Sequence, residues 1–289
     1  MMRGGHAGFL RVGHDLPGLL RAIILPMGYE KELETARRLA LQAAQIALRH
    51  REKGLTTEIK ADLSPVTLAD RDCERLIAAA LDQAFPEDGL VGEEGALKAS
   101  RSGRRWIIDP IDGTVDYIRR IPTWSVLIAL EDQQGVAAGV CHLAEQQQMY
   151  FAARSAGAFM NEEKLRASAA SDPAQALLCV NGLHLVSALP WAERLLRLIA
   201  GFHAVRSFGG CQDAMLVVSG RADAWIEPHA REWDLAPLKI IAEEAGAVFF
   251  NFNGEGSIYG GNCVIAAPGL AATLRAWLSD LQAEVRASA

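Results

Sequence analysis

From Glu30 onward, Leu33, Ala36, Ala40, Ala43, Ala44 and Leu48 recur at spacings of three and four, which predicts an amphipathic helix ended by Gly54. A second helix is predicted from near Thr67, with Ala69, Cys73, Leu76, Ile77, Ala80 and Leu81 inward and Pro86 as its stop. Two helices therefore precede any convincing strand. The middle of the chain changes period: Leu90–Val91, Trp106–Ile108, Trp124–Glu131, Val136–Leu143 and Gln148–Ala153 read as strands of a large, mostly antiparallel sheet. After residue 175 strands and helices alternate. Strands are expected at Leu177–Val180, His203–Ser207, Ala222–Ile226, Val248–Phe252 and Cys263–Ala266, and helices at Pro190–Ile199, Gln212–Ser219, Trp233–Ala245 and from Leu270 to about Val285. The expectation is a layered α/β protein of two intimate subdomains, 30–175 and 176–289. Residues 1–29 lack periodicity and read as a flexible N-terminal extension, with Met27 a candidate natural start.

Composition narrows the function classes. With 29 Lys and Arg against 35 Asp and Glu, the formal charge of −6 does not suit a protein that must neutralise many phosphates of a nucleic acid. The apolar stretch Leu19–Met27 is too short to span a bilayer and contains Arg21 and Pro26. Cys73, Cys141, Cys179, Cys211 and Cys263 are odd in number, widely spaced and form no Cys-x-x-Cys motif, so they read as small core residues of a cytoplasmic protein.

Candidate chemistry lies in three acidic segments at the ends of predicted elements: Gly92-Glu93-Glu94-Gly95, Asp109-Pro110-Ile111-Asp112-Gly113-Thr114 and Trp233-Asp234. Clustered carboxylates raise one another's pKa unless a cation neutralises them. Hard oxygen donors without accompanying His or Cys suit Mg²⁺, which also takes phosphate oxygens as ligands. Pro110 stiffens the turn between the two aspartates, the Ile111 carbonyl can face the same ion as Asp109, and Gly113-Thr114 opens a short helix whose free amides attract phosphate. The implied chemistry is metal-assisted transfer of a phosphoryl group to water. Each segment also has an ordinary reading, as turn or helix cap, but their combination points to one site.

Trp106-Ile-Ile-Asp109-Pro-Ile-Asp112-Gly-Thr114 with Asp116-Tyr117 and Pro122, together with Glu232-Trp233-Asp234-Leu-Ala236, resembles the inositol monophosphatase family. Supporting matches are Gly92-Glu93-Glu94, Ser64-Pro65-Val66-Thr67-x-Ala69-Asp70, Gly157-Ala158-Phe159 and Gly220-Arg221-Ala222-Asp223-Ala224, so the likeness covers about residues 30 to 285. It implies an αβαβα sandwich of the fructose-1,6-bisphosphatase type and a Mg²⁺-dependent, lithium-sensitive phosphatase acting on a small phosphorylated metabolite, as a homodimer. Carried over, Glu93, Asp109 and the Ile111 carbonyl hold one Mg²⁺, and Asp109, Asp112 and Asp234 a second. Glu93 also faces a third, weakly held ion whose water is the nucleophile, with Thr114 and Asp70 orienting and deprotonating it. Asp112, Gly113, Thr114, Glu227 and Asp234 line the substrate; Lys60, Thr67 and Glu94 support the site.

Two rivals remain to be weighed. The haloacid-dehalogenase type uses a strand-Asp-x-Asp-Gly-Thr motif, but Asp109 and Asp112 stand one residue too far apart for that nucleophile and acid pair. A regulatory protein that has only kept the fold would readily lose costly clustered carboxylates, and every acidic position of the motif is present. Glu227, seven residues before Asp234, stands where inositol-specific members carry a hydroxyl-binding glutamate, which makes inositol-1-phosphate the first expectation. Ser64-Pro65-Val66-Thr67 and Ile258-Tyr-Gly-Gly-Asn262 resemble members acting on histidinol phosphate or nucleotide 3′-phosphates, and fructose-1,6-bisphosphate completes the alternatives. His142, His184 and His203 read as structural or surface residues at predicted strand ends, whereas His229 lies in the loop expected to border the substrate.

Overall fold

The computed structural model describes residues 28–55, 57–60, 65–186 and 191–288, with side chains to residue 280. The expected N-terminal extension lies outside the described residues except for Gly28 and Tyr29.

Helix α1 (Glu30–Lys53) packs beside α2 (Leu68–Ala84). Both lie on one face of an eight-stranded sheet built from β3 (Gly89–Gly92), β4 (Leu97–Lys98), β5 (Arg105–Asp112), β6 (Ser125–Asp132), β7 (Gly135–Leu143), β8 (Gln148–Ala153), β9 (Gly157–Met160) and β10 (Glu163–Lys164). Its order is β10-β9-β8-β7-β6-β5-β3-β4, antiparallel except for the β3–β5 pair. The buried stripes foreseen on the helices, including Leu33, Ala36, Ala40, Ala69, Cys73 and Ile77, meet Ile108, Val126, Ile128, Val140 and Phe151 from the sheet. Removing that much apolar surface from water is the main favourable term of the fold.

On the other face lie α6 (Gly210–Val218) and α7 (Glu232–Glu244), which contact the sheet through Ile107, Leu127, Ala129 and Cys141. Gly139 of β7 permits the close approach of α7: a Cβ there would lie 2.6 Å from the Ile240 side chain and 2.8 Å from the Pro237 backbone. The same helices cover a second sheet of five strands, β11 (Leu177–Val180), β12 (Ala204–Arg206), β13 (Ala224–Glu227), β14 (Val248–Phe250) and β15 (Cys263–Ala266), in the order β12-β11-β13-β15-β14. Its far face packs on α5 (Ala192–Ile199) and α8 (Ala271–Ser288) through Leu178, Val180, Leu195, Phe250, Leu270 and Leu274. The layers run helix, sheet, helix, sheet, helix, the expected αβαβα sandwich.

The expectation that no strand precedes the second helix is corrected. Strands β1 (Thr57–Ile59) and β2 (Pro65–Thr67) form a two-stranded antiparallel ladder between the helices. Its exposed Thr-Glu-Ile strand has neither a buried face nor the length that makes a strand visible in sequence. His184 sits in a short helix, α4 (Leu183–Val186), not at a strand end; His142 is a buried residue of β7, and His203 precedes β12. All five cysteines are free and buried.

Candidate active site

Residue Asp70 opens the site from α2. Thr67 caps that helix, and its amide and hydroxyl both donate to Asp70 Oδ2, at 2.8 and 2.6 Å. The other oxygen, Oδ1, faces Thr114 Oγ1 at 3.4 Å, and that hydroxyl lies 3.2 Å from the Ile111 carbonyl. Asp70 is almost fully buried, and desolvation pushes its pKa up.

Strand β5 brings the central carboxylates together by a bulge. Asp109 pairs with Leu127 and Asp112 with Ser125, so the stretch from Asp109 to Asp112 is one residue longer than its partner. Side chains three apart on a regular strand point to opposite faces. The bulge cancels that: Ile108 and Ile111 enter the core beneath α1 and α2, while Asp109 and Asp112 turn toward α7. There they meet Asp234, whose Oδ2 accepts the Arg231 amide at 2.7 Å in the first turn of the helix. One carboxylate oxygen from each of Asp109, Asp112 and Asp234 lies within 4.8 Å of the others. Among the described residues no lysine or arginine pairs with any of the three.

The electrostatic consequence is strong. Asp109, 1% exposed, has its pKa driven well up by burial and then by Glu93, Asp112 and Asp234. Burial and the charge of Asp112 raise Asp234 to about 8. Asp112 rises to about 6 because burial outweighs hydrogen bonds from the Cys211 thiol and amide at the start of α6. Such a cluster, built only of oxygen donors, suits a small hard cation.

Glu93 and Glu94 occupy the β3–β4 turn, where Lys60 donates to Glu93 at 2.8 Å and also to Glu94. Burial opposes the lysine charge, but these bonds raise its pKa. Glu227, at the end of β13, is 4% exposed and accepts Asn181 Nδ2 at 2.6 Å and the His229 amide at 3.1 Å. Burial lifts it to about 7. With Asp112, Asn181, Cys211, His229 and Asp234 it lines a cavity of about 100 Å³. Gly113 is exposed before α3 (Thr114–Arg119), with φ of 80° that favours glycine.

The structure thus gathers Asp70, Asp109, Ile111, Asp112, Thr114 and Asp234, with Lys60, Glu93 and Glu94 tied to them and Glu227 at the far wall. Sequence reasoning missed Asn181 and Cys211, and also Glu74, which binds the β3–β4 turn. Only Glu74 left a signal, four residues after Asp70 on the same helical face.

The model of the inositol monophosphatase family matches residues 29–287. The chain belongs to this family. It is 37% identical over 239 residues to a histidinol-phosphatase of Chlorobaculum parvum, covering 82% of this chain and 92% of that protein. It is 34% identical to human inositol monophosphatase 2, covering 78% and 82%. The crystal structure of the extragenic suppressor protein suhB from Bartonella henselae superposes with a TM-score of 0.78 at 27% identity, over 86% of this chain and 98% of that one. The family member described here is a phosphoric monoester hydrolase acting on a small phosphorylated substrate, in a family whose members are generally metal-dependent. No described helix is long and apolar enough to cross a membrane.

Proposed function

We propose that this family member is a Mg²⁺-dependent histidinol-phosphate phosphatase. The observation that carries the substrate is Glu227: a buried carboxylate raised to about 7, in a cavity shared with Asp112 and Asp234. A substrate bearing an ammonium group beside its phosphate would restore the ionised form of that carboxylate and gain a charge-assisted bond. The histidinol-phosphatase relative supports the same choice. Inositol-1-phosphate is the second reading, favoured by the spacing of Glu227 from Asp234 and by the human relative.

The cluster of Asp109, Asp112 and Asp234 fits a divalent cation, since no lysine or arginine among the described residues pairs with these three, and Lys60 neutralises only the Glu93–Glu94 turn beside them. Glu93, Asp109 and the Ile111 carbonyl would hold one Mg²⁺, and Asp109, Asp112 and Asp234 a second, with a third near Glu93. Bound there, Mg²⁺ would withdraw charge from phosphate oxygens and ease deprotonation of water. The chain's own part is proton handling: Thr67 anchors one oxygen of Asp70, leaving the other beside Thr114 Oγ1 to orient water and take its proton. Asp109 is committed at Oδ1 to the Ile111 amide at 3.0 Å, a poor posture for a covalent nucleophile. A homodimer in a reducing cytoplasm completes the reading; the five free cysteines support the reducing compartment, and light scattering tests the dimer.

The test is turnover of histidinol phosphate, inositol-1-phosphate, fructose-1,6-bisphosphate and adenosine 3′,5′-bisphosphate, each with Mg²⁺ and with EDTA. Histidinol phosphate should show the highest kcat/KM and EDTA should abolish it. A higher kcat/KM on inositol-1-phosphate would install the second reading, and full activity in EDTA would remove the metal.

A further inference from the structure

The turn that carries Glu93 and Glu94 needs something to hold it, because those side chains point into a region already crowded with negative charge. Its backbone amides are all accounted for. Gly92 N donates to the Ala96 carbonyl at 2.8 Å, Glu93 N to Ile108 at 3.1 Å and Gly95 N to Gly92 at 3.3 Å. The remaining two, Glu94 N and Ala96 N, donate to Glu74 Oε2 and Oε1 at 2.8 and 2.7 Å. Glu74 is 4% exposed on α2, one turn beyond Asp70. A buried carboxylate is costly to keep, and here its two oxygens are spent on two amides of a single turn. Gly92 is shaped by the same contact, since a Cβ there would lie 2.3 Å from Glu74 Oε2 and 2.5 Å from Cδ. The glycine of the Gly-Glu-Glu motif is therefore required by the packed carboxylate and not by a left-handed backbone.

We propose that Glu74 is the positioning residue of the metal turn: it fixes the backbone from which Glu93 reaches the cation, and so sets cation affinity without touching cation or substrate. Helix α2 then aligns the site twice, with Asp70 for the water and Glu74 for the turn, on one helical face. The link to affinity rests on the metal site proposed above, whereas the hold on the turn does not. Geometry explains why a carboxylate is needed. Glutamine offers one acceptor oxygen and would set an N–H against an amide N–H; aspartate keeps both oxygens but is one methylene too short.

The test uses full-length Glu74→Gln and Gly92→Ala, the second displacing an intact carboxylate by contact alone. Amide hydrogen exchange is followed residue by residue in EDTA, and the Mg²⁺ concentration for half-maximal activity in parallel. Exchange at Glu94 and Ala96 should quicken at least tenfold in both variants while amides of β6 and β7 keep their parent rates. Half-saturation by Mg²⁺ should rise about tenfold, as expected for losing one charge-assisted hydrogen bond's worth of orientation, with substrate KM at saturating Mg²⁺ within twofold. Parent exchange rates at Glu94 and Ala96 would overturn the hold on the turn. Faster exchange there with unchanged Mg²⁺ dependence would overturn the link to affinity, and a parent enzyme indifferent to Mg²⁺ would instead remove the metal site itself. Faster exchange throughout the sheet, with a general loss of stability, would reduce Glu74 to a core residue and also overturn the proposal.

Discussion

Replacing Asp234 by asparagine should make the metal-free protein more stable while disabling the enzyme. In the folded chain Asp234 is raised from 3.8 to about 8 by burial and by Asp112. Four pKa units at 1.36 kcal/mol each correspond to roughly 5 kcal/mol of native-state penalty when the carboxylate is ionised. Asparagine keeps the shape and an acceptor for the Arg231 amide, but a weaker one, and still buries a polar group. A net gain of about 2 kcal/mol remains, or about 4 °C in Tm for a chain of this size. The pH dependence has a definite sign. Below the unfolded value of 3.8 both states are protonated and there is no penalty; it grows as pH rises and levels off above about 8. The Tm of the parent in EDTA should therefore fall between pH 5 and 8.5, and the advantage of Asp234→Asn should widen over the same interval. Adding Mg²⁺ should reverse the order: the variant keeps the proposed ligands of the first ion, Glu93, Asp109 and the Ile111 carbonyl, but loses one of the second's. The parent alone therefore gains the second ion's binding energy, about 2.7 kcal/mol at a hundred times its dissociation constant. Differential scanning calorimetry at two pH values, with and without metal, measures all four states. A variant less stable than its parent in EDTA at pH 8.5 would refute the account of Asp234 as an uncompensated buried charge.

Three further outcomes follow from the same site. Asp109→Asn should abolish Mg²⁺-dependent turnover with the circular dichroism spectrum unchanged, because a central carboxylate loses its charge but little volume; near-parental turnover would refute the assignment. Millimolar Li⁺ should inhibit, and Ca²⁺ should fail to replace Mg²⁺, its looser coordination being unfit for an octahedral arrangement, as steady-state assays will show. Glu227→Gln should lower kcat/KM roughly ten- to a hundredfold for histidinol phosphate but little for an aryl phosphate, the loss of one charge-assisted bond; equal losses on both would place Glu227 outside the substrate contact.

Much of this was legible in the chain because it is written in periodicity and local motifs. The helix from Glu30 to Lys53, the strand over 148–153 and the cap Thr67 before Asp70 each depend on near neighbours alone. The acidic segments were legible as one site for a chemical reason, that charges so costly to bury imply a shared cation. What was hidden depends on partners distant in sequence. The bulge of β5 is defined only by the register of β6, so Asp-Pro-Ile-Asp gives no warning that Asp109 and Asp112 share a face. Asn181 matters because β11 and β13 are parallel neighbours, which sets its amide against Glu227 across 46 positions. The β1–β2 ladder escaped because three exposed residues carry no hydrophobic signature.

The way the site is assembled also explains why the charges are tolerable. Asp70 comes from α2, Glu93 from the β3–β4 turn, Asp109 and Asp112 from β5 and Asp234 from α7, so no two adjoining elements acquire the full repulsion until the layers have packed. By then Ile107, Leu127 and Leu235 are fully buried on one side of the sheet and Ile108, Ile111 and Ile128 on the other. Burying such a core, at about 25 cal/mol for each Å² of apolar surface, outweighs a few kcal/mol of repulsion. Under the proposed metal site, part of that repulsion would become affinity, because an entering cation would remove a penalty the fold has already borne. A protein shaped for stability alone would place leucine or asparagine at Asp109, Asp112 or Asp234; on the function proposed above, keeping all three carboxylates trades stability for a pre-formed cation site.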